Sequence, residues 1–125
     1  MVSIFRGGRR ACVANIESDS VTFLSLPDMR IIRHLKVGDG PEGIAATPNG
    51  KWILVALQGA DQVAILNASG GEILARLPTG KTPVRVAVTP NSFTALVSNR
   101  GSNDVTLLAG GGAALRHRAG VGDLH

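Results

Sequence analysis

Five charged residues in or beside turns could bind a ligand. They are Asp39, Glu42, Lys81, Arg85 and Arg100. Exposed charged groups can hold an ionic ligand through charge-assisted hydrogen bonds. Arg85 is the strongest candidate, because a similar segment upstream carries Gly43 at the matching position, and similar segments usually differ where a function is local. The pattern therefore predicts a small anionic ligand near Arg85, with solvated turn residues as the alternative.

No combination of residues typical of metal binding or nucleophilic catalysis stands out. No pair among His34, His117 and His125 has the i, i+2 or i+4 spacing of a zinc or copper site. Ser18, Asp19 and His34 could be drawn as a triad, but the sequence lacks the strand-turn-helix pattern that exposes such a serine. We therefore expect no catalytic residues, no metal and no cofactor.

Three further features have plain explanations. Cys12 is the only cysteine, so it cannot form an intrachain disulfide, and we expect it to be a small buried residue on a strand. The three glycines at 110–112 lack the Lys-Ser/Thr of a phosphate-binding loop and are expected to form a loose turn. Nucleic-acid binding would need aromatic side chains on a basic face, whereas the aromatic residues here are expected to pack in the core. These are Phe5, Phe23, Trp52 and Phe93.

The composition indicates one domain built from strands and turns. The chain has 125 residues with 16 Gly and 6 Pro, and Tyr is absent. A formal charge of +4 permits an acidic partner, but the basic residues are concentrated near the two ends instead of forming one block. Neither the apolar core of a signal peptide, about 7–15 residues, nor a membrane span of about 18 residues occurs. The chain as written is therefore expected to be cytoplasmic, with no membrane span.

The charged residues are positioned by a segment that repeats along the chain. Six residues between 37 and 50 recur 42 positions later. They are Gly38, Pro41, Ala45, Thr47, Pro48 and Asn49. A fixed period of roughly 20–50 residues is the signature of a repeat architecture. Gly80, which matches Gly38, is expected to adopt a positive φ in its turn, so Gly80→Val should disrupt folding.

Each repeat contains four short strand patterns. An apolar run is followed by a nearly continuous apolar strand, which suits burial on both faces, then by a strand rich in β-branched residues. The fourth pattern alternates in polarity, as exposed strands do. In that order, the ranges are 2–4, 44–47 and 86–89; 10–15, 52–57 and 94–99; 21–24, 63–66 and 105–108; and 30–36, 72–77 and 114–119.

Four strands in about 40–50 residues form one blade of a β-propeller. The sequence therefore predicts an all-β fold, a partial β-propeller of about three four-stranded antiparallel blades. The chain 1–125 would be an incomplete propeller with repeats of approximately 2–43, 44–85 and 86–125. The first strand of each blade would line the channel. The loops that enter these strands would share one end with the turns between second and third strands, and the five charged candidates would lie there.

Three blades are too few to close a ring. An open arc would leave the inner strands at 44–47 and 86–89 and the outer faces of both end blades in water, which is more apolar exposure than monomers usually tolerate. We therefore expect either a fragment of a longer propeller protein or a chain that assembles with further copies, two of which would make six blades.

Three motifs of the repeat are Cys-Val-Ala-Asn at 12–15, Pro-Glu-Gly-Ile-Ala at 41–45 and Pro-Asn-Gly at 48–50. With these motifs the repeat resembles the YVTN-type β-propeller repeats of surface-layer and related bacterial and archaeal proteins. Most of the pattern returns in the second copy. Where family repeats commonly have an aromatic residue in the second strand, this chain has Cys12, Leu54 and Leu96. The resemblance implies a propeller, and a periplasmic or extracellular location for a full-length parent protein, but it does not imply one particular function.

The most direct interpretation is a non-catalytic propeller segment that acts as a binding or interaction scaffold. Its partners would be further propeller blades or a second copy of the chain, together with a small anionic ligand, and not nucleic acid. The alternative is part of a propeller enzyme, because similar propellers occur in lactonases and in haem- or quinone-dependent oxidoreductases.

Overall fold

The computed structural model describes residues 1–92 and 94–109, and the backbone of residues 116–123. The predicted packing of Phe93, the predicted turn at 110–112, the side chain of His117 and the whole of His125 lie outside the described residues. A 3-10 turn occurs at Ile16–Ser18. The strands are β1 (Val2–Phe5), β2 (Arg10–Asn15), β3 (Ser20–Ser25), β4 (Ile31–Lys36), β5 (Pro41–Ala46), β6 (Trp52–Leu57), β7 (Gln62–Asn67), β8 (Ile73–Pro78), β9 (Pro83–Val88), β10 (Thr94–Asn99), β11 (Asp104–Ala109) and β12 (Arg116–Asp123).

The strands form three antiparallel sheets of four strands each, in the order of the chain. Strands β1–β4 are blade 1, β5–β8 are blade 2 and β9–β12 are blade 3. The 42-residue period appears in the strand register, where Cys12 pairs with Phe23, Leu54 with Ile65 and Leu96 with Leu107. The predicted all-β partial propeller of three blades is confirmed.

Most of the predicted strands coincide with observed ones. The second strand of each blade has the predicted bounds, since β2, β6 and β10 match 10–15, 52–57 and 94–99. The third strands extend one residue further at each end. In blade 3 the described part of the fourth strand, β12, runs from Arg116 to Asp123 and so extends four residues beyond the predicted end at 119.

The core consists of two apolar layers, one on each face of blade 2. Phe5, Cys12 and Phe23 of blade 1 pack with Val55 and Leu57 of blade 2. The rings of Phe5 and Phe23 meet edge-on with centroids 6.3 Å apart. Cys12 is fully buried, and burial raises the pKa of its thiol to about 12. The prediction of a small buried cysteine is therefore confirmed.

The second layer joins blade 2 to blade 3. Leu54, Val63 and Ile65 of blade 2 pack with Ala95 and Val97 of blade 3. All residues from 53 to 57 are fully buried, because alternate side chains of β6 point into the two layers. This explains why the apolar run at 52–57 is nearly continuous.

The first strands β1, β5 and β9 lie side by side along the inner edge of the arc. Contrary to the prediction, the inner strand of the middle blade is not left in water: Ile44 is 6% exposed and Thr47 is 2% exposed. Blades 1 and 3 flank this strand and cover it. The outer faces of the end blades are exposed as expected, with Val2 55%, Ile4 63% and Leu96 44% accessible to solvent.

Gly43 allows the close approach of β5 to β9. A Cβ at this position would lie 2.5 Å from the Val84 carbonyl oxygen and 2.9 Å from Arg85 Cα. Both obstacles are backbone atoms and cannot rotate away, so a larger residue would push the two blades apart.

Among the described residues, no helix has the length and hydropathy of a membrane span.

A buried polar pair on blade 3 is replaced by apolar residues on blade 2. Asn99 Nδ2 donates to Thr106 Oγ1 at 2.9 Å, and the Gly80 N–H donates to the same oxygen at 3.1 Å. Blade 2 has Leu57 and Ala64 at the matching positions, both fully buried. An apolar pair and a hydrogen-bonded pair are both stable, whereas a single replacement would leave a buried polar group without its partner.

We therefore expect Asn99→Leu and Thr106→Ala to be non-additive. Each single substitution should lower the free energy of unfolding by about 1 kcal/mol, because Asn99→Leu removes a donor to Thr106 Oγ1 and Thr106→Ala removes the acceptor of the Asn99 Nδ2 and Gly80 N–H groups. The double variant reproduces the pair found in blade 2 and should lose less than the sum of the two. Urea unfolding of the four proteins in a double-mutant cycle measures the coupling. Additive losses would show that the pair is not an energetic unit.

Candidate functional site

The connections between blades meet the turns between second and third strands at one end of the arc. We call this end the loop face; it consists of the connections 37–40 and 79–82 and the turns 16–19, 58–61 and 100–103. Asp19 joins the first connection to its turn. The Val37 N–H donates to the Asp19 carbonyl oxygen at 2.9 Å, and the Gly40 N–H donates to Asp19 Oδ1 at 3.0 Å.

The same arrangement recurs one repeat later. The Thr79 N–H donates to the Asp61 carbonyl oxygen at 3.1 Å, and the Thr82 N–H donates to Asp61 Oδ1 at 2.9 Å. Asp19, Asp61 and Asn103 have φ angles of 56°, 53° and 57°. Asp and Asn tolerate this left-handed conformation better than other residues with a side chain, which explains why the turn keeps one of them in every repeat.

Each connection is also held by the turn of the blade it enters. The N–H groups of Gln58 and Gly59 donate to the carbonyl oxygens of Gly40 and Asp39 at 2.9 and 3.1 Å. One repeat later, the N–H groups of Arg100 and Gly101 donate to Thr82 and Lys81, both at 2.9 Å. A connection is therefore fixed between two successive turns. The two sets of loops share one end of the arc, as expected.

The first connection carries the acidic candidates. Asp39 is exposed and Glu42 is half-buried in β5. Asp39 lies over Gly59, where a Cβ would be 2.5 Å from its carboxyl carbon. The second connection carries the basic candidates. Lys81 and Arg100 are both exposed, and their backbones come together where the third turn meets the connection.

Lys81 forms an exposed ion pair with Asp61. Lys81 Nζ lies 3.3 Å from Asp61 Oδ2, and 75% of the Lys81 side chain is accessible to solvent. The hydrogen bond from the Thr82 N–H, followed by the bond and charge of Lys81, lowers the pKa of the Asp61 carboxyl below its ordinary value of 3.8. An exposed pair of this kind contributes little to stability, so the structural role of Asp61 lies mainly in its bond to the Thr82 backbone.

Arg85 lies on β9 near the loop face, exposed on the outer face of blade 3. Its Nη1 donates to the Val84 carbonyl oxygen at 3.3 Å. The contrast between Gly43 and Arg85 has a packing cause: blade 3 covers Gly43 closely, whereas Arg85 belongs to the face that no blade covers. The contrast therefore no longer supports a ligand at Arg85, and its role in binding stays a prediction.

Neither of two cavities along the described residues coincides with the five predicted residues as a group. A groove of about 400 Å³ on the outer face of blade 3 includes Arg85. A second cavity, of about 450 Å³, lies between the β1–β2 and β5–β6 turns and includes Arg6 and Asn49. Arg6 Nη2 donates to Ser69 Oγ at 2.5 Å. Sequence reasoning did not select Arg6, because its neighbourhood is formed by a distant turn.

Ser18, Asp19 and His34 do not form a triad. Ser18 Oγ bonds to Ser20 Oγ at 2.7 Å, and His34 Nδ1 bonds to Thr22 Oγ1 at 2.7 Å. Asp19 Oδ1 is occupied by the Gly40 N–H. Within the described ranges, no group of three or more His, Cys, Asp and Glu residues is arranged to hold a metal ion.

The fold is similar to solved β-propellers. Kuenenia stuttgartiensis hydrazine synthase superposes with a TM-score of 0.89 at 20% identity, over 95% of this chain and 34% of that chain. The β-propeller domain of Myceliophteria thermophila Cps50 (Swd1) gives 0.77 at 16% identity, over 94% and 37%. The periplasmic gluconolactonase of Pseudomonas aeruginosa gives 0.81 at 15% identity, over 98% and 38%.

The chain thus spans little more than a third of the length of these proteins. At such low identity, the similarity establishes the propeller fold and nothing more. No protein-family model matches the sequence, and a search of curated proteins finds no match.

We expect Asp61→Asn to destabilise the protein at pH 7 and to have less effect in acid. Asparagine can adopt the same φ and offer an oxygen to the Thr82 N–H, but it loses the charge. Because folding lowers the pKa of Asp61, its stabilisation is present above about pH 4 and is lost as the pH falls through the lowered value. Urea midpoints of both proteins at pH 7 and pH 3 measure the difference.

Asp39→Asn is the control for this experiment, because Asp39 accepts a hydrogen bond through its backbone carbonyl. The substitution changes only the side chain and leaves this bond in place. It should change the midpoint less than Asp61→Asn at pH 7. A loss from Asp61→Asn that is equally large at both pH values would contradict a stabilising charged form.

Proposed function

We propose that the chain is a propeller segment that acts as a binding scaffold, built from repeats of the YVTN type, with the loop face as its ligand surface. The basic part of that face, formed by Lys81 and Arg100 with Arg85 of β9 beside it, would bind an anionic group. The supporting observation is that the backbones of Lys81 and Arg100 are fixed next to each other while both side chains are exposed.

The hydrogen bonds that hold the backbone of the second connection leave its side chains to bind an anion. The carbonyl oxygens of Lys81 and Thr82 and the Lys81 N–H all have hydrogen-bond partners in the turn at 100–103. Binding an anion would therefore require no rearrangement of this backbone, which lowers the entropy that association costs. The ion pair with Asp61 is exposed, so an anion could compete with it for the Lys81 ammonium.

Further blades, from the same protein or from a second copy, would cover the exposed ends. The scaffold would then present the loop faces of successive blades around one channel. The alternative function is that of a propeller enzyme, lactonase-like or a haem- or quinone-dependent oxidoreductase. It is favoured only by the fold, which this chain shares with a gluconolactonase and a hydrazine synthase.

Binding of gluconate and of inorganic phosphate tests the proposal. Lys81→Ala and Arg100→Ala should each weaken the dissociation constant measured by calorimetry about tenfold, since a charge-assisted hydrogen bond contributes roughly 1.5 kcal/mol. Raising the salt concentration should weaken binding further, because these charges are exposed.

Lys51→Ala is the matched control, because Lys51 is an exposed lysine in the β5–β6 turn, outside the loop face. Equal affinities in the wild type and the two loop-face variants would remove the proposed site. Hydrolysis of gluconolactone above the rate in buffer, abolished by Lys81→Ala, would replace the scaffold with a lactonase.

A further inference from the structure

The two exposed end faces of the arc have the composition of two surfaces that already pack together inside it. We call them the blade 1 end face and the blade 3 end face. The blade 1 end face consists of Val2, Ile4, Ala11, Val13, Asn15, Thr22 and Leu24, which strand pairing places on one side of the sheet. Ala11 is buried, and the other six are half-buried or exposed. The blade 3 end face consists of Arg85, Ala87, Leu96, Ser98, Val105 and Leu107.

The blade 1 end face matches the covered face of blade 3 almost residue for residue. Two repeats later, its positions are occupied by Val86, Val88, Ala95, Val97, Asn99, Thr106 and Leu108. Among these positions only Ile4 differs, and it is replaced by the similar Val88. Ser20, which pairs with Asn15 on the same side of the sheet, corresponds to Asp104 and is a difference in type. The covered face of blade 3 packs against blade 2 through Leu54, Val63 and Ile65. The blade 1 end face is therefore shaped for a surface that resembles this side of blade 2.

The blade 3 end face resembles that side of blade 2. One repeat earlier, Ala87, Leu96, Val105 and Leu107 correspond to Ala45, Leu54, Val63 and Ile65. Leu96 is 44% exposed and lines the groove of about 400 Å³. In blade 2 the matching Leu54 is fully buried by blade 3. The blade 3 end face thus resembles one side of the contact between blades 2 and 3, and the blade 1 end face resembles the other side.

A polar pair supports the same match. Asn15 Nδ2 donates to Thr22 Oγ1 at 2.9 Å, just as Asn99 Nδ2 donates to Thr106 Oγ1. Blade 2 covers the second pair, and its outgoing connection adds a hydrogen bond from the Gly80 N–H. The first pair is only half-buried, and Thr22 bonds instead to the exposed His34. In blade 3 this hydrogen-bonded pair lies on the face that packs against blade 2, whereas no blade of the described chain packs against the pair in blade 1.

We propose that a second copy of this chain packs its blade 3 end face on the blade 1 end face of the first. The contact is head-to-tail, so two copies can make it twice and close into a ring of six blades, within the usual range of propellers. This rests on the fold and on the match of the two faces, independently of the proposed anion site. Arg85 and Ser98 are the mismatches, since the internal contact has Gly43 and Ala56 at these positions, and Gly43 allows the blades to approach closely.

Sedimentation of the full chain tests the contact. The wild type should sediment with twice the monomer mass of 12.9 kDa in a concentration-dependent manner. Leu96→Asp and Ile4→Asp place a charge on one end face each and should both sediment as monomers. Leu74→Asp is the matched control, because Leu74 is an apolar residue of β8 that is 52% exposed and belongs to neither end face; it should stay dimeric.

Mixing the two variants distinguishes head-to-tail contact from misfolding and from pairing of like faces. In an equimolar mixture, Leu96→Asp and Ile4→Asp can form one intact contact, between the unaltered blade 3 of the Ile4→Asp chain and the unaltered blade 1 of the other. Dimers should therefore reappear in the mixture at higher concentration. Arg85→Gly should lower the dissociation constant of the dimer, because it restores the glycine of the internal contact.

Several outcomes would overturn the proposal. These are a wild type that stays monomeric at high concentration, open-ended polymers in place of a dimer, a dimer that survives either charged substitution, a mixture that remains monomeric, and an Arg85→Gly dimer that is no tighter than the wild type. A failure of anion binding at Lys81 and Arg100 would leave these results unchanged, so the two proposals fail separately.

Discussion

No sheet in this structure can bury both of its faces without a neighbour, and the rest of the architecture depends on that constraint. Side chains alternate between the two faces of each strand, so the apolar run of β6 supplies Leu54 to one layer and Val55 to the other. Blade 2 is buried on both sides, whereas blades 1 and 3 are buried on one. Stability in such arrays is approximately a sum of contacts between neighbours, and two contacts here hold three blades.

The connections between blades convert this stacking into a defined geometry. Apolar layers alone would permit neighbouring sheets to slide. The hydrogen bonds from the Gly40 and Thr82 N–H groups to Asp19 and Asp61 fix each connection to the turn before it, and the next turn fixes it from the other side. Because the backbone of the connections is held by these hydrogen bonds, the two connections can differ in their exposed side chains, and the acidic Asp39 is followed one repeat later by Lys81.

The sequence period was sufficient to predict the fold but not the reasons for individual differences between repeats. Strand bounds, the burial of Cys12 and the shared end of the two loop sets follow from residue types within one repeat. The need for glycine at positions 43 and 80 does not follow from residue types within one repeat. Gly80 lacks the predicted positive φ; it is small because a Cβ would lie 2.5–2.7 Å from Ser102 Oγ, Asn99 Nδ2 and Asp104 Oδ1. Both glycines are required by contacts with the next blade, which no pattern within a repeat can reveal.

The same distinction applies to the candidate site. A difference between repeats can reflect a ligand or a change in what covers the position, and only the packing tells which. Leu57 and Ala64 replace a polar pair without loss of burial, and Gly43 and Arg85 differ because one is covered and the other is not. Lys81 and Arg100 are different in kind: their backbones repeat the bonds of Asp39 and Gln58, so the change of charge is not imposed by packing. The change of charge on an unchanged backbone adds an exposed ion pair with Asp61 and makes this connection basic. For this reason the basic connection is a stronger basis than Arg85 for the proposed anion site.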